Sequence, residues 1–323
     1  MKFTPPIFAK ASFTKEQISV KDKIGCSGIE VQLLDEMIID RCKGIYKPAE
    51  DAYDLSLLSQ YDIRVVHCPL VQGLGDITLE RMADNIDGYL MEQVFLIAEE
   101  ASKCHGRLVP VVIHSEEFYD RLSDMGDSWN RIAEKVSFVL NKYPHTELLI
   151  ENVSPLRGIG KGKELHLANN CMFDNILMVQ KLREQTGVDR IGTCLDTCHQ
   201  MLTEKYLNII YQTVADVPIP DLSLDTFFAK NKEYIKLIHL CDIAGSGYGK
   251  GRHGVPFHAG SYVKLKKIMD TYHSYNIECP ITLEVEETDY STCDGYRITK
   301  DLIDTYYSDK SSFDSAMSIM SGE

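Results

Sequence analysis

Eight side chains of the kinds that bind metal ions stand at the ends of apolar runs or just beyond them. Ile63-Arg64-Val65-Val66 runs into His67, Val109-Pro110-Val111-Val112-Ile113 into His114, and Leu148-Leu149-Ile150 into Glu151. Gly192-Thr193-Cys194-Leu195 ends at Asp196, with His199 three residues on. Ile235-Lys236-Leu237-Ile238 ends at His239, Arg252-His253 lies in the loop after it, and Ile281-Thr282-Leu283 ends at Glu284. Imidazole and carboxylate are ordinary zinc ligands, and carboxylate-rich sets also suit manganese, magnesium or cobalt. A single such run carries no information. Their repetition in series predicts a polynuclear metal site.

Glu151, Asp196, His239 and Glu284 form the strongest set, because a carboxylate straight after three apolar strand residues is expensive to bury unpaired. The alternative for Glu151 and Glu284 is a surface salt bridge at a strand end. Asp196 and His199 are close enough in sequence to serve two adjacent ions, although His199 could instead hold a substrate hydroxyl. His67 and His114 follow β-branched runs on neighbouring strands, and a core histidine is the competing reading for each. Arg252 and His258 are candidates for substrate contact, with a structural role equally open for His258. His105, His145, His166 and His273 fall in predicted helices or loops and are set aside.

Ligands so far apart in sequence converge if their strands are parallel and closed into a barrel, whose strand carboxyl ends share one face. Strands are predicted at residues 7–13, 28–33, 63–67, 108–114, 147–151, 191–196, 235–239 and 281–284. Several are continuous apolar runs, as expected of strands covered on both faces. Helical spacing marks residues 77–104, 129–141, 173–185 and 262–275, with 289–307 as a closing helix. The expected fold is α/β, a single (β/α)8 TIM barrel over residues 1–308 rather than an open doubly wound sheet. Residues 309–323 are expected to form a flexible tail. The glycine-rich, basic segment 157–163 lacks P-loop spacing and reads as a surface loop. A second glycine-rich segment, 245–253, delivers His253.

The chain has 323 residues, 44% hydrophobic and 25% charged, and carries 34 Lys and Arg against 48 Asp and Glu, a net charge of −14. That balance opposes non-specific attraction to nucleic acid, although two or three bound divalent ions would add positive charge where an anion would sit. No apolar run approaches the ~18 residues that span a bilayer. The first residues also lack the apolar core of a signal peptide, so a cytoplasmic protein without a membrane partner is expected. The ten cysteines are scattered without paired CxxC modules, and most read as reduced core thiols.

At these residues the chain resembles the endonuclease IV-like, xylose isomerase-like TIM-barrel superfamily (AP endonuclease family 2), over most of residues 7–290. Gly192-Thr193-Cys194-Leu195-Asp196-Thr197-Cys198-His199 is similar to the signature around that family's metal-binding Asp and His. Glu151-Asn152 resembles its metal-bridging glutamate, and His239-Leu240-Cys241-Asp242 followed by Arg252-His253 a third signature. The resemblance implies one zinc on His67, His114 and Glu151. It implies a second on Glu151, Asp196, His239 and Glu284, and a third on His199 and His253. Departures are visible too. Gly251 replaces an Asp of the third site, and Phe257-His258-Ala259-Gly260 replaces a Gly-x-Gly. Cys68-Pro69-Leu70 lacks the Tyr that nuclease relatives wedge into DNA, and Leu33-Leu34-Asp35-Glu36 is acidic where those relatives carry a basic loop. Gly28-Ile29-Glu30-Val31-Gln32-Leu33 reads like the sugar isomerase branch.

Two enzyme classes follow. The first is a zinc phosphoesterase acting on a small phosphorylated substrate or on abasic DNA, with two or three Zn²⁺ activating water and Glu151 bridging. The second is a sugar or sugar-phosphate isomerase or epimerase. There one Mn²⁺, Mg²⁺ or Co²⁺ is held by Glu151, Asp196, His239 and Glu284, and Glu151 and Glu284 exchange a carbon-bound proton near His199. His67, His114 and His253 exceed what a one-metal isomerase needs, which favours the phosphoesterase. A catalytically dead binding module would be expected to have lost ligands.

Overall fold

Eight strands form where the apolar runs predict them: β1 (Ile7–Ser12), β2 (Gly28–Leu34), β3 (Ile63–Val71), β4 (Val109–His114), β5 (Thr146–Glu151), β6 (Ile191–Asp196), β7 (Ile235–Leu240) and β8 (Ile281–Leu283). Each pairs in parallel with the next, and β8 pairs with β1, so the sheet closes. The computed structural model describes residues 3–40, 42–71, 75–76, 79, 81–83, 85–114, 126–153, 172–211, 221, 223–244 and 252–308. Among them, the helices of two turns or more are α1 (Lys15–Asp22), α2 (Asn85–His105), α3 (Gly126–Lys142), α4 (Met172–Thr186), α5 (Thr197–Tyr211), α6 (Leu224–Asn231), α7 (Tyr262–Ser274) and α8 (Asp294–Ser308). The fold is the expected TIM barrel. The predicted tail 309–323 and the glycine-rich segments 157–163 and 245–251 lie outside the described residues. No described helix is long and apolar enough to cross a membrane.

Successive side chains of a strand point to opposite faces. Phe8, Val65, Val112, Leu149, Cys194 and Leu237, one from each of six strands, meet in a buried cluster inside the barrel. Two residues further along the same strands, and therefore on the same face, stand Lys10, His67, His114, Glu151, Asp196 and His239. The interior is apolar in one layer and ionisable in the next, and the ionisable layer lies at the carboxyl ends. Outward-facing residues such as Val66, Val111 and Leu148 pack with Val94 and Phe95 of α2. Ile238 and Leu283 pack with Leu265 and Met269 of α7.

The helix boundaries differ from expectation in two places. The predicted helix 77–104 begins only at Asn85, after a short strand at Gly75–Asp76 and a 3-10 turn at Arg81–Ala83. The closing helix begins at Asp294 rather than 289, because Asp289 accepts hydrogen bonds from Ser291 N and Oγ and holds a turn that competes with helix. Helix α1, capped by Thr14 Oγ1 accepting from Gln17 N at 3.3 Å, was not expected from periodicity. Nor was the antiparallel hairpin of Asp242–Ala244 with Arg252–Val255. Since Phe8 is the largest plug of the interior cluster, Phe8→Ala should cost about 3–5 kcal/mol of stability, read as a lower urea midpoint.

Candidate metal centre

Strand β5 ends on Glu151, which is fully buried, and its two oxygens face different partners. Oε2 lies 3.0 Å from His67 Nε2 and 3.5 Å from His114 Nε2. Oε1 lies 3.1 Å from His239 Nδ1 and 3.8 Å from His199 Nδ1. Strand register produces this convergence: His114 is level with Glu151 across β4–β5, and Asp196 with His239 across β6–β7. Asn152 then clamps the end of β6, donating to Asp196 O at 3.0 Å while accepting from Asp196 N at 2.8 Å. Asp196 Oδ1 accepts from His199 N at 2.7 Å, which fixes the first turn of α5 against the site. Glu284 follows β8 and brings Oε2 to 2.7 Å from His239 Nδ1.

The outer nitrogens of the imidazoles are engaged. His67 Nδ1 donates to Cys68 O at 2.9 Å and His199 Nδ1 to Asn152 O at 2.8 Å, so each presents Nε2 as the free ligand atom. His239 is turned the other way, with Nε2 against Glu30 Oε2 at 3.1 Å and Nδ1 towards Glu151 and Glu284. A ligating histidine is ordinarily oriented by such an outer partner.

Sequence reasoning missed two members of this layer, Lys10 and Glu30. Lys10 Nζ donates to Glu284 Oε1 at 2.8 Å and lies 3.8 Å from Glu30 Oε1. Both are buried and sit opposite each other in the β1–β2 register. The available signal was a charge inside an apolar strand rather than at its end.

Burial alone would push the His67 pKa down, as would Lys10, but the hydrogen bond and charge of the Cys68 side chain and the hydrogen bond to Glu151 hold it well above the ordinary imidazole value. Burial likewise opposes protonation of His239 and His199, but Cys194 and then Glu30, Glu151 and Glu284 raise the first well above its ordinary value, and Asp196, Glu151 and Glu284 raise the second. Burial would raise Glu151 and Glu284, yet His239 and His114 beside the first, and Lys10 and His239 beside the second, hold them well below the carboxylate range. Asp196 goes the other way, raised by burial and by Glu284 and Glu151. Four carboxylates (Glu30, Glu151, Asp196 and Glu284) face one ammonium, so three negative charges need balancing by protons or by cations.

The residues fit divalent cations. The ligand atoms of His67, His114 and Glu151 all lie within 4.8 Å of one another. Glu284 Oε2, although 2.7 Å from His239 Nδ1, accepts no well-directed hydrogen bond, which leaves a buried oxygen available to a cation. His253 joins at the mouth, half exposed, with its ring 5.4 Å from that of His199. The sulfur of Cys198 lies within 4.8 Å of the ligand atoms of both. Arg252 opens the strand that carries His253, and its side chain lies outside the described residues, as does Gly251. His258 is exposed, and its Nδ1 accepts from Gly260 N at 3.1 Å, capping a 3-10 turn.

A family model described as a xylose isomerase-like TIM barrel matches residues 22–306. The chain belongs to this family. Among xylose isomerase-like relatives, a probable endonuclease 4 of Malacoplasma penetrans (strain HF-2) is 27% identical over 195 residues. The match spans 58% of this chain and 56% of that protein, just over half of either. The D-allulose 3-epimerase from Methylomonas sp., solved in complex with D-allulose, has a TM-score of 0.56 at 12% identity, over 95% of this chain and 99% of that one. The IolI protein with a bound zinc atom has a TM-score of 0.55 at 14% identity, over 96% and 100%. At such identities the likeness is one of fold.

Two outcomes test the centre. Because imidazolium protons must leave before a cation enters, zinc binding should release protons and weaken as pH falls from about 8 to about 6. Calorimetry in buffers of different ionisation enthalpy measures both. Glu30→Gln keeps the size of the side chain but removes the charge that orients His239. Affinity at the position using His239 should fall about 10- to 100-fold while binding at His67 and His114 is retained.

Proposed function

We propose that this protein is a divalent-metal hydrolase of a phosphoester, with two zinc ions as its resident metals. The observation that carries the reading is the division of Glu151 between two donor groups, Oε2 to His67 and His114 and Oε1 to His239. A carboxylate shared in this way suits a bridge between two cations. In this reading His67 and His114 complete one position, Asp196, His239 and Glu284 the other, and His199 with His253 a third at the mouth.

Charge supports the same choice. With neutral imidazoles, the four carboxylates and Lys10 leave three negative charges, so two divalent cations turn the site net positive and one leaves it net negative. A net positive site attracts a phosphate ester. A net negative one suits an uncharged sugar. Bound cations would supply a nucleophilic water at neutral pH and offset charge on the phosphoryl oxygens. The chain's own contribution is to hold Glu151 ionised, to fix Nε2 of His67 and His199 inward, and to keep bulk water out of the lower layer. Arg252 is assigned to phosphate contact. Abasic DNA is the less favoured substrate, because the net charge of −14 and the acidic Asp35 and Glu36 after β2 oppose a polyanion.

A second reading is a sugar or sugar-phosphate epimerase or isomerase. Glu30 and Lys10 favour it, since they rigidify the His239–Glu284 half alone, and the fold's likeness to a D-allulose 3-epimerase agrees with it. One Mn²⁺, Mg²⁺ or Co²⁺ would then suffice, with Glu151 and Glu284 on either side of the moving proton.

Metal analysis of protein purified without chelator should give about two ions per chain, mainly zinc. Small phosphate esters and an abasic duplex, set against ketoses and aldoses with Zn²⁺ and with Mn²⁺, should show phosphoester turnover. Glu151→Gln should remove that turnover by about 10³-fold or more with the fold retained. One metal per chain together with turnover of a sugar, and none of any phosphoester, would establish the epimerase instead.

A further inference from the structure

Away from the metal centre, Lys21 at the end of α1 is buried to 1% exposure, and the carboxylate of Glu287 acts on its ammonium through charge, with no ion-pair contact among the described residues. Its hydrogen bond goes to a sulfur: Nζ lies 3.1 Å from Cys293 Sγ, across 272 residues of chain. The thiol donates in turn to Tyr290 O at 3.3 Å, which leaves a sulfur lone pair facing the nitrogen. The Tyr296 ring lies under Nζ at 3.2 Å from its centroid and the half-exposed Tyr290 ring beside it at 5.5 Å, so the pair is enclosed on its aromatic sides. A buried amine held against a buried thiol, with no acid in ion-pair contact, serves no packing need that an apolar residue would not meet more cheaply.

We propose that Lys21 and Cys293 are a site of oxidative modification, at which a covalent sulfur–nitrogen bond forms between Sγ and Nζ in the presence of a peroxide. In the first step hydrogen peroxide transfers one oxygen to Sγ, the thiol becomes a sulfenic acid and one water leaves. In the second the Nζ lone pair attacks sulfur and the S–O bond breaks. The departing hydroxide takes the proton shed by nitrogen, as a second water. Sulfur is oxidised by two electrons and the peroxide is reduced to two waters. Burial lowers the pKa of Lys21 against the opposing hydrogen bond to Cys293, which favours the neutral amine this step needs. The bond staples α1 to the turn that precedes α8, joining the first and last βα units of the barrel. It is independent of which metal reaction the centre performs.

The test is mass spectrometry of the full chain after treatment with hydrogen peroxide, alkylation and trypsin digestion. The expected product joins residues 16–23, uncleaved after Lys21, to residues 268–297, with a mass two hydrogens below the sum of the two peptides. Dithiothreitol should dissolve it. Lys21→Arg should abolish the link while Cys293 still takes up oxygen, and Cys293→Ser should abolish it although Cys279 remains in the same peptide. The proposal is overturned if wild-type Cys293 is recovered only as a thiol, a sulfinic or sulfonic acid, or a disulfide with the neighbouring Cys26.

Discussion

The burial of one carboxylate, Glu151, organises the rest of the functional face. A fully buried carboxylate is stable only if opposite charge or hydrogen-bond donors surround it. This one has imidazoles against both oxygens, from β3 and β4 on one side and from β7 and α5 on the other. Three of those imidazoles, His67, His199 and His239, are held in turn by the Cys68 carbonyl, the Asn152 carbonyl and Glu30. Neutralising Glu151 would leave two clusters of inward-facing nitrogens without the anion that gathers them. Against burial, the same anion helps to raise the pKa of His239, with Cys194 and Glu30, and of His199, with Asp196, so protons would compete with any cation for these nitrogens.

The barrel supplies what such a site demands. Ligands from six strands and one helix start must meet within a few ångströms, and the polar layer must be closed from below against water. Period-two alternation provides both at once. The residue two positions before each ligand is an interior plug: Val65 before His67, Val112 before His114, Leu149 before Glu151, Cys194 before Asp196 and Leu237 before His239. The apolar layer makes desolvation of the layer above unavoidable, and desolvation is what makes the ion pairs strong enough to matter.

Strand positions and most of the centre were legible because both are written in the same local pattern, an apolar run closed by a ligand. Lys10 and Glu30 escaped that pattern. Each lies within its strand, followed by an apolar residue at Ala11 or Val31, so neither marks a run's end. They become visible only when alternation is counted from Phe8 and Gly28, which requires knowing which face is interior. The start of α8 was illegible for another reason: helical spacing extends through 289–293, but the Asp289 side chain captures the local donors first. His258 shows the limit of reading residue type alone, since an imidazole can cap a turn as well as meet a substrate.

The seam between β8 and β1 carries a disproportionate share of the site. Strand β8 has three residues, and Glu284 follows it at once, so the ladder itself does little to fix that carboxylate. Lys10 from β1 holds its Oε1, and Tyr296 of α8 donates through its hydroxyl to the Lys10 carbonyl at 3.0 Å. Tyr296 is positioned by Glu287, which accepts from Tyr296 N at 2.9 Å and from Gly295 N at 3.2 Å as it caps α8. The ring of Tyr296 also carries the Lys21 ammonium, itself bonded to Cys293. A continuous path of contacts therefore runs from the thiol through Lys21, Tyr296 and Lys10 to Glu284. Anything that tightens α1 against the turn before α8 bears on the carboxylate of the centre that the sheet leaves least constrained.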